Sequence, residues 1–163
     1  MTQGLAAGIA LLAAQSIVPM APPIDGLTPA SLHDTFGEVH SGHAHEAIDI
    51  MAPAGTPVHA VVSGTIRKLF LSKPGGNTIY EFDDAGERSY YYAHLQRYED
   101  GLREGMRVNR GDVIAYVGST GNADPRAPHL HFAVFELDQK REWWKGTPID
   151  PYASLMAALR NGK

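Results

Sequence analysis

Alternation of apolar and polar positions dominates residues 48–137 of the chain. Short runs rich in valine, isoleucine and aromatic residues alternate with turns built from Gly, Pro, Asn and Asp, a pattern typical of a β-sandwich or barrel. We predict strands at residues 48–51, 58–62, 65–71, 77–82, 88–95, 113–118 and 131–137. The strands 77–82 and 88–95 are expected to pair as a hairpin through the turn Asp84-Ala85-Gly86.

The C-terminal segment changes to a helical period. Asp150 is a suitable N-cap, Pro151 suits the first helical position and Arg160 suits the last turn. The apolar positions recur at helical spacing, which predicts one buried stripe. That stripe consists of Ile149, Tyr152, Leu155, Met156 and Leu159.

Residues 4–21 form an apolar run without a charged side chain. Such a run is typical of a secretory signal or a membrane anchor, although no Lys or Arg precedes it; the alternative is an apolar helix packed on the domain. Pro22-Pro23 suggests a linker. We therefore expect residues 1–25 to be an apolar signal or anchor segment plus linker, and residues 26–163 to be one domain. The predicted fold is mainly β: a single-domain antiparallel sandwich or barrel-like core with an N-terminal apolar segment and a C-terminal helix.

Charge and composition limit the functions that the chain can have. The chain has 163 residues, a formal net charge of −4 and no cysteine. The charge, and the absence of any Lys/Arg cluster, argue against nucleic-acid binding. Without cysteine, any metal site must use histidine and carboxylate ligands.

Two histidine motifs suggest such a site. In the run Pro128-His129-Leu130-His131-Phe132, His129 and His131 share one strand face while Leu130 faces the other way. Upstream, His45 lies four residues before Asp49. Imidazole nitrogen and carboxylate oxygen are both zinc ligands, and three of them leave a fourth tetrahedral position open, as in catalytic zinc sites.

The sequence resembles the lysostaphin-like zinc metallopeptidases, which cut peptide cross-bridges of bacterial peptidoglycan. The resemblance covers residues 36–152. The motifs that carry it are His45-x-x-x-Asp49, Gly55-Thr56-Pro57-Val58, Tyr92-Ala93-His94-Leu95, Gly118-Ser119-Thr120-Gly121 and Pro128-His129-Leu130-His131-Phe132. One departure is visible: Ala47 stands where the family usually has glycine.

The resemblance implies a zinc-dependent endopeptidase with one Zn²⁺ per chain. By that resemblance His45, Asp49 and His131 hold the metal, and His94 and His129 are the catalytic histidines. The implied substrate is a peptidoglycan peptide, and the implied location is the cell envelope, with the periplasm favoured by the apolar N-terminal run. A direct D-alanyl cross-link is the expected scissile bond, with a glycyl-glycine bond as the alternative.

Two other functions compete with this one. A non-catalytic relative that binds or regulates cell-wall enzymes would typically lack one or more of the five site residues, all of which are present. A sugar-phosphotransfer carrier of similar fold uses two histidines without a metal-binding aspartate, so Asp49 disfavours it.

Three further stretches carry expectations. Tyr90, Tyr92 and His94 should share one strand face by the period-2 rule, which would place an aromatic wall beside the histidine. Of the histidines near residue 40, only His45 has an aspartate partner at metal-ligand spacing. Trp143-Trp144 can bind sugar or peptide faces, but packing of one tryptophan over the barrel end is the favoured interpretation.

Overall fold

The computed structural model of the protein describes residues 18–40 and 42–161. Within these ranges, eleven β-strands are followed by one α-helix, α1 (Tyr152–Asn161). The strands are β1 (Val39–His40), β2 (His43–Ala44), β3 (Ile48–Met51), β4 (Pro57–His59), β5 (Gly64–Ser72), β6 (Gly76–Asp83), β7 (Arg88–Tyr98), β8 (Arg107–Val108), β9 (Val113–Val117), β10 (His129–Glu136) and β11 (Thr147–Ile149). The predicted mainly β, single-domain architecture with a C-terminal helix is confirmed.

One large antiparallel sheet holds nine of the described strands, while β1 and β2 pair separately. Its main path is β11-β10-β7-β6-β5-β8, with β3 added to β10 and β9 added to both β4 and β7. The predicted hairpin between β6 and β7 is confirmed. In its turn the Gly86 N–H donates to the Asp83 carbonyl at 2.9 Å, and Gly86 has a φ of 63°.

The sheet encloses one apolar core. Alternate side chains of the strands point into it, so that Ile79 of β6, Tyr92 of β7 and both Leu130 and Phe132 of β10 are fully buried. The histidines of β10 therefore lie on the opposite face from the core. This confirms the predicted alternation around Leu130 and leaves that face of β10 free for a site.

Three short pairings were not predicted: β1 with β2, β5 with β8, and β10 with β11. Each involves at least one strand of two or three residues. Two or three residues contain at most one cycle of a period-2 pattern, so alternation in the sequence could not reveal them.

Helix α1 follows its predicted capping. The Tyr152 N–H donates to the Asp150 Oδ1 at 2.8 Å. Leu155 is fully buried, and the other members of the predicted stripe pack against the core while partly exposed. The helix packs against one side of the core.

Residues 18–25 lie against the domain. Val18, Met20 and Ile24 belong to the core cluster, the Ala21 N–H donates to the Val61 carbonyl at 2.7 Å, and Ile24 forms an isolated bridge with Val58 of β4. These contacts differ from the linker expected at this point. They arise because residues 18–24 are all apolar and some of them can be buried against the domain.

The expected signal or anchor falls mainly on residues 1–17, which lie outside the described part of the chain. Among the described residues, no helix has the length and apolar character needed to span a membrane.

Candidate metal centre and flanking histidines

Strand register brings the distant metal-ligand candidates together. In the antiparallel pair of β3 and β10, His131 lies directly opposite Asp49. Directly opposite residues in such a pair have neighbouring side chains on the same face. His45 reaches the same point from the loop before β3, four residues ahead of Asp49.

Three ligand atoms converge in this pocket. The His45 Nε2 lies 3.1 Å from the His131 Nδ1, the His131 Nδ1 lies 3.0 Å from the Asp49 Oδ1, and the His45 Nε2 lies 3.2 Å from that same oxygen. Zinc bonds of roughly 2.0–2.1 Å at tetrahedral angles put two ligands about 3.3 Å apart. The three residues therefore fit one zinc ion in both donor type and spacing.

Thr35 orients two of these ligands. Its carbonyl accepts a hydrogen bond from the His45 Nδ1 at 3.0 Å, which fixes the tautomer and leaves Nε2 for a metal. Its hydroxyl accepts the Asp49 N–H at 3.0 Å and donates to the Ala47 carbonyl at 3.1 Å. No motif around Thr35 pointed to this role, because it lies ten residues before His45 and its contacts depend on the tertiary fold.

The loop before β3 accommodates alanine at position 47. The positive φ in this loop is at Glu46, at 52°, and Ala47 is not among the residues with positive φ. The Ala47 methyl group is fully buried. Glycine is therefore not needed here for backbone conformation, and the ligands converge with alanine in place.

His129 stands beside the three ligand atoms without joining them. Its Nδ1 donates to the Ala127 carbonyl at 3.0 Å, so its Nε2 carries the free lone pair. That Nε2 lies 3.8 Å from the Asp49 Oδ1. His129 thus lies next to the three ligand atoms, and its role beside the metal stays a prediction.

His94 reaches the site through an unusual backbone conformation. It has a φ of 59°, and its N–H donates to the Gly75 carbonyl instead of to a neighbouring strand position. Its ring centroid lies 4.9 Å from that of His129 and 5.6 Å from that of His131. Its Nδ1 donates to the Thr120 carbonyl at 2.9 Å, which leaves Nε2 with the free lone pair here too.

The predicted wall formed by Tyr90, Tyr92 and His94 is wrong. Tyr90 and Tyr92 are buried in the core, and the Tyr92 ring packs on Phe132. A left-handed residue at position 94 interrupts the period-2 alternation, so His94 turns to the other face. The aromatic residue beside the histidines is instead Tyr91, whose ring centroid lies 6.0 Å from that of His131.

A pair of interlocking loops holds His94. Thr120 supplies the carbonyl for the His94 ring, and its hydroxyl donates to the Leu95 carbonyl at 2.8 Å. A Cβ on Gly121 would lie 2.3 Å from the Pro74 carbonyl oxygen, and Gly121 has a φ of 77°. The Gly118–Gly121 motif is thus a support for the histidine, a role the sequence alone did not reveal.

The electrostatics favour an ionised Asp49 and a neutral His94. Burial alone would raise the pKa of Asp49, but the hydrogen bond and charge of His131, with the charges of His45 and His129, lower it below its ordinary value. Burial lowers the pKa of His94 despite its bond to Thr120. Asp49 is therefore ionised and His94 neutral at neutral pH.

Of the other histidines near residue 40, only the side chain of His33 is among the described residues. His33 is exposed. The side chains of His40 and His43 lie outside what the structure describes.

Trp143 and Trp144 differ in environment: the first is packed and the second is exposed. Trp143 packs on the sheet, with ring centroids 4.9 Å from Tyr80 and 5.3 Å from Phe70. Trp144 is 61% exposed. Trp143 therefore covers a face of the sheet, not its end, and it supports an exposed tryptophan beside it.

Comparison with known proteins gives a class to this site. The model of peptidase family M23 matches residues 43–151, a range that includes all five site residues. The chain belongs to peptidase family M23.

Relatives and solved structures agree with this assignment. The chain is 31% identical over 143 residues to an L-Ala–D-Glu endopeptidase of Bacillus subtilis, and 34% identical over 104 residues to the peptidoglycan DD-endopeptidase ShyC of Vibrio cholerae. The catalytic domain of lysostaphin from Staphylococcus simulans superposes with a TM-score of 0.61 at 29% identity, covering 85% of this chain and 89% of that one.

These matches cover only part of the relatives. They span 83% of this chain but 42% of the Bacillus protein, and 64% of this chain but 22% of the Vibrio protein. The chain therefore spans less than half the length of these two relatives.

Proposed function

We propose that the protein is a zinc-dependent endopeptidase that hydrolyses peptide cross-links of bacterial peptidoglycan. The observation that carries the proposal is the convergence of the His45 Nε2, Asp49 Oδ1 and His131 Nδ1 to within 3.2 Å of one another. Membership of family M23 and the endopeptidase activities of the Bacillus and Vibrio relatives support it.

In this proposal His45, Asp49 and His131 hold one zinc ion. When bound, zinc supplies a Lewis acid that polarises the scissile carbonyl and makes water acidic enough to attack near neutral pH. Two neutral imidazoles and one carboxylate leave a net charge of +1 at the centre, which preserves that electrophilic strength.

His94 and His129 move the protons. Both imidazoles hold their N–H at Nδ1, against the Thr120 and Ala127 carbonyls, and both present Nε2 as an acceptor. One Nε2 can take the proton of the attacking water as general base. An imidazole protonated in this way can donate to the oxyanion or to the leaving amine.

The same proposal includes the cellular location of the enzyme and the bond that it cuts. A peptidoglycan substrate puts the enzyme in the cell envelope, and export or anchoring through residues 4–21 favours the periplasm. The direct D-alanyl cross-link is the preferred bond, with the glycyl-glycine bridge as the competing substrate. The Vibrio relative is a peptidoglycan DD-endopeptidase, which supports the first of these bonds.

The scissile bond is tested by mass spectrometry of products from defined cross-linked muropeptides. We expect cleavage of the D-alanyl cross-link, abolished by a zinc chelator. Cleavage of pentaglycine bridges alone would assign the glycyl-glycine bond as the substrate instead. No cleavage of any cross-linked muropeptide by the zinc-loaded protein would contradict the proposed function.

A further inference from the structure

An aromatic pocket lies on the exposed face of the sheet beside the metal centre. Its volume is about 340 Å³. This is near the lower limit for small-molecule pockets, so it suits one compact ring and not an extended peptide. Its walls include Tyr80, Tyr91, Phe135, Trp143, Trp144 and Lys145.

Consecutive ring contacts join this pocket to the candidate active site. Tyr91 lies 6.0 Å from His131, Tyr80 lies 4.7 Å from Tyr91, and Trp143 lies 4.9 Å from Tyr80, all between ring centroids. Trp144 continues the series at 5.3 Å from Trp143. Tyr91, which lines the pocket, is therefore also the ring next to the candidate metal ligand His131.

The pocket combines flat aromatic faces with hydrogen-bond donors. Lys145 lies on its wall, while Lys68, whose Nζ lies 5.9 Å from the Trp143 ring, is paired with Glu104 at 2.9 Å. The buried Ser89 also lines it, and among the described residues the Ser89 Oγ has no hydrogen-bond partner. An ammonium group donates hydrogen bonds but cannot accept them, so the pocket suits a ligand rich in acceptor oxygens.

The backbone shapes the tryptophan-bearing wall. A Cβ on Gly146 would lie 2.8 Å from the Glu136 carbonyl oxygen and from the Phe135 Cβ. Glycine at this position therefore lets the loop between β10 and β11 lie directly against β10. The close approach places Trp143 and Trp144 over the sheet.

We propose that this pocket binds an N-acetylated hexosamine of the glycan strand attached to the peptide being cut. The C–H face of a pyranose ring is weakly positive and suits the negative face of an aromatic ring, while its hydroxyl and acetyl oxygens accept from the donors described above. The inference rests on the proposed function for the identity of the substrate. It adds a glycan subsite on the sheet face to the peptide site at the metal.

Intrinsic fluorescence can test binding without any activity. The chain has two tryptophans, both in this pocket, so the signal reports on the pocket alone. Titration with the soluble β-1,4 tetramer of N-acetylglucosamine should give a saturable change in the zinc-loaded wild type. In Trp144→Ala, with Trp143 as reporter, the dissociation constant should rise about 10-fold or more, the scale of losing an aromatic anchor. Trp144→Phe should retain most of the affinity.

A matched control uses an exposed apolar residue on the other face of β5. Leu71 is 72% exposed and neighbours Phe70, whose ring packs on Trp143. Leu71→Ala should bind the tetramer as the wild type does. An equal loss of affinity in Leu71→Ala and Trp144→Ala would overturn the assignment to the pocket.

Hydrolysis separates a glycan subsite from a peptide subsite. Trp144→Ala should raise KM about 10-fold for a cross-linked stem-peptide dimer that carries its disaccharides, with KM unchanged for the same dimer without sugar. Equal effects on both substrates, or a fluorescence response to the sugar-free dimer and none to the tetramer, would overturn the glycan assignment. If the wild type cuts neither dimer but still binds the tetramer through Trp144, the proposed hydrolysis fails while the pocket assignment stands.

Discussion

Thr35 is a single residue on which two proposed metal ligands depend. Its carbonyl orients the His45 ring and its hydroxyl holds the backbone N–H of Asp49. Residues that orient metal ligands typically contribute about 10–100-fold to metal affinity.

Thr35→Val keeps the shape of the side chain but removes the hydroxyl. We expect its zinc affinity to fall within that range of about 10–100-fold, because Asp49 loses the bond that fixes its backbone. Thr35→Ser keeps the hydroxyl and should remain near the wild type. Competition with a chromophoric chelator measures both variants, and equal affinities for Thr35→Val and wild type would remove Thr35 from the metal site.

His94 and His129 are proposed to act on protons and not to hold the ion. Each alanine variant should retain near-stoichiometric zinc while the rate of muropeptide hydrolysis falls by about 10²–10⁴, the usual effect of losing a general acid–base group. Metal analysis and hydrolysis assays on the same preparations check this. Loss of zinc together with activity in either variant would make that histidine a ligand, and wild-type rates in both would rule out the catalytic roles.

The position of His94 also shows the limit of local sequence patterns. The alternation of His129, Leu130 and His131 in β10 was predictable because the strand is regular. The same rule was wrong for Tyr90, Tyr92 and His94, because a φ of 59° at His94 reverses the face of one side chain. That conformation depends on the Gly75 carbonyl, which comes from a loop nineteen residues away in sequence and near only in the fold.

Among the secondary-structure elements, β6 and β7 share a buried polar pair. The Tyr92 hydroxyl donates to the Glu81 Oε2 at 2.6 Å and accepts the Val61 N–H at 3.0 Å. Glu81 is fully buried, and burial raises its pKa from the ordinary 4.5 to about 8. The folded state therefore binds a proton that the unfolded chain releases above about pH 4.5.

This difference in proton binding predicts how stability depends on pH. The contribution of Glu81 to the free energy of unfolding is fully present below pH 4.5 and is lost as the pH rises toward about 8. Glu81→Gln keeps an acceptor for Tyr92 but cannot ionise, so its stability relative to the wild type should increase steadily from pH 5 to pH 8. Urea unfolding across that interval measures the difference, and parallel profiles would show that Glu81 does not titrate there.

Long strands and capped ends were predictable from the sequence, while the two- and three-residue pairings were not. β5, β6 and β7 each span at least eight residues, enough for alternation to be visible. The Asp150 cap was predictable because its partner, Tyr152, is two residues away. The support given by Thr120 and Thr35 was not, because their partners are ten or more residues away.

For the whole molecule, the boundary of the folded domain is a testable prediction. The division after residue 25 came from the apolar run and Pro22-Pro23, yet Val18, Met20 and Ile24 contribute to the core. A chain lacking residues 1–17 should unfold cooperatively, and one lacking residues 1–25 should unfold at lower temperature, because each buried apolar side chain contributes about 1.5–3 kcal/mol. Calorimetry compares them, and identical melting temperatures would support a boundary after residue 25.

The central claim is that one zinc ion, held by His45, Asp49 and His131, is responsible for peptidoglycan hydrolysis. The most direct measurement is the zinc content and muropeptide hydrolysis of Asp49→Ala beside the wild type, after both are stripped with a chelator, resupplied with one equivalent of zinc and dialysed. The wild type should bind one zinc per chain and regain activity, while Asp49→Ala should do neither. An Asp49→Ala protein that holds one zinc through the final dialysis, or hydrolyses the cross-link at the wild-type rate, would contradict the account.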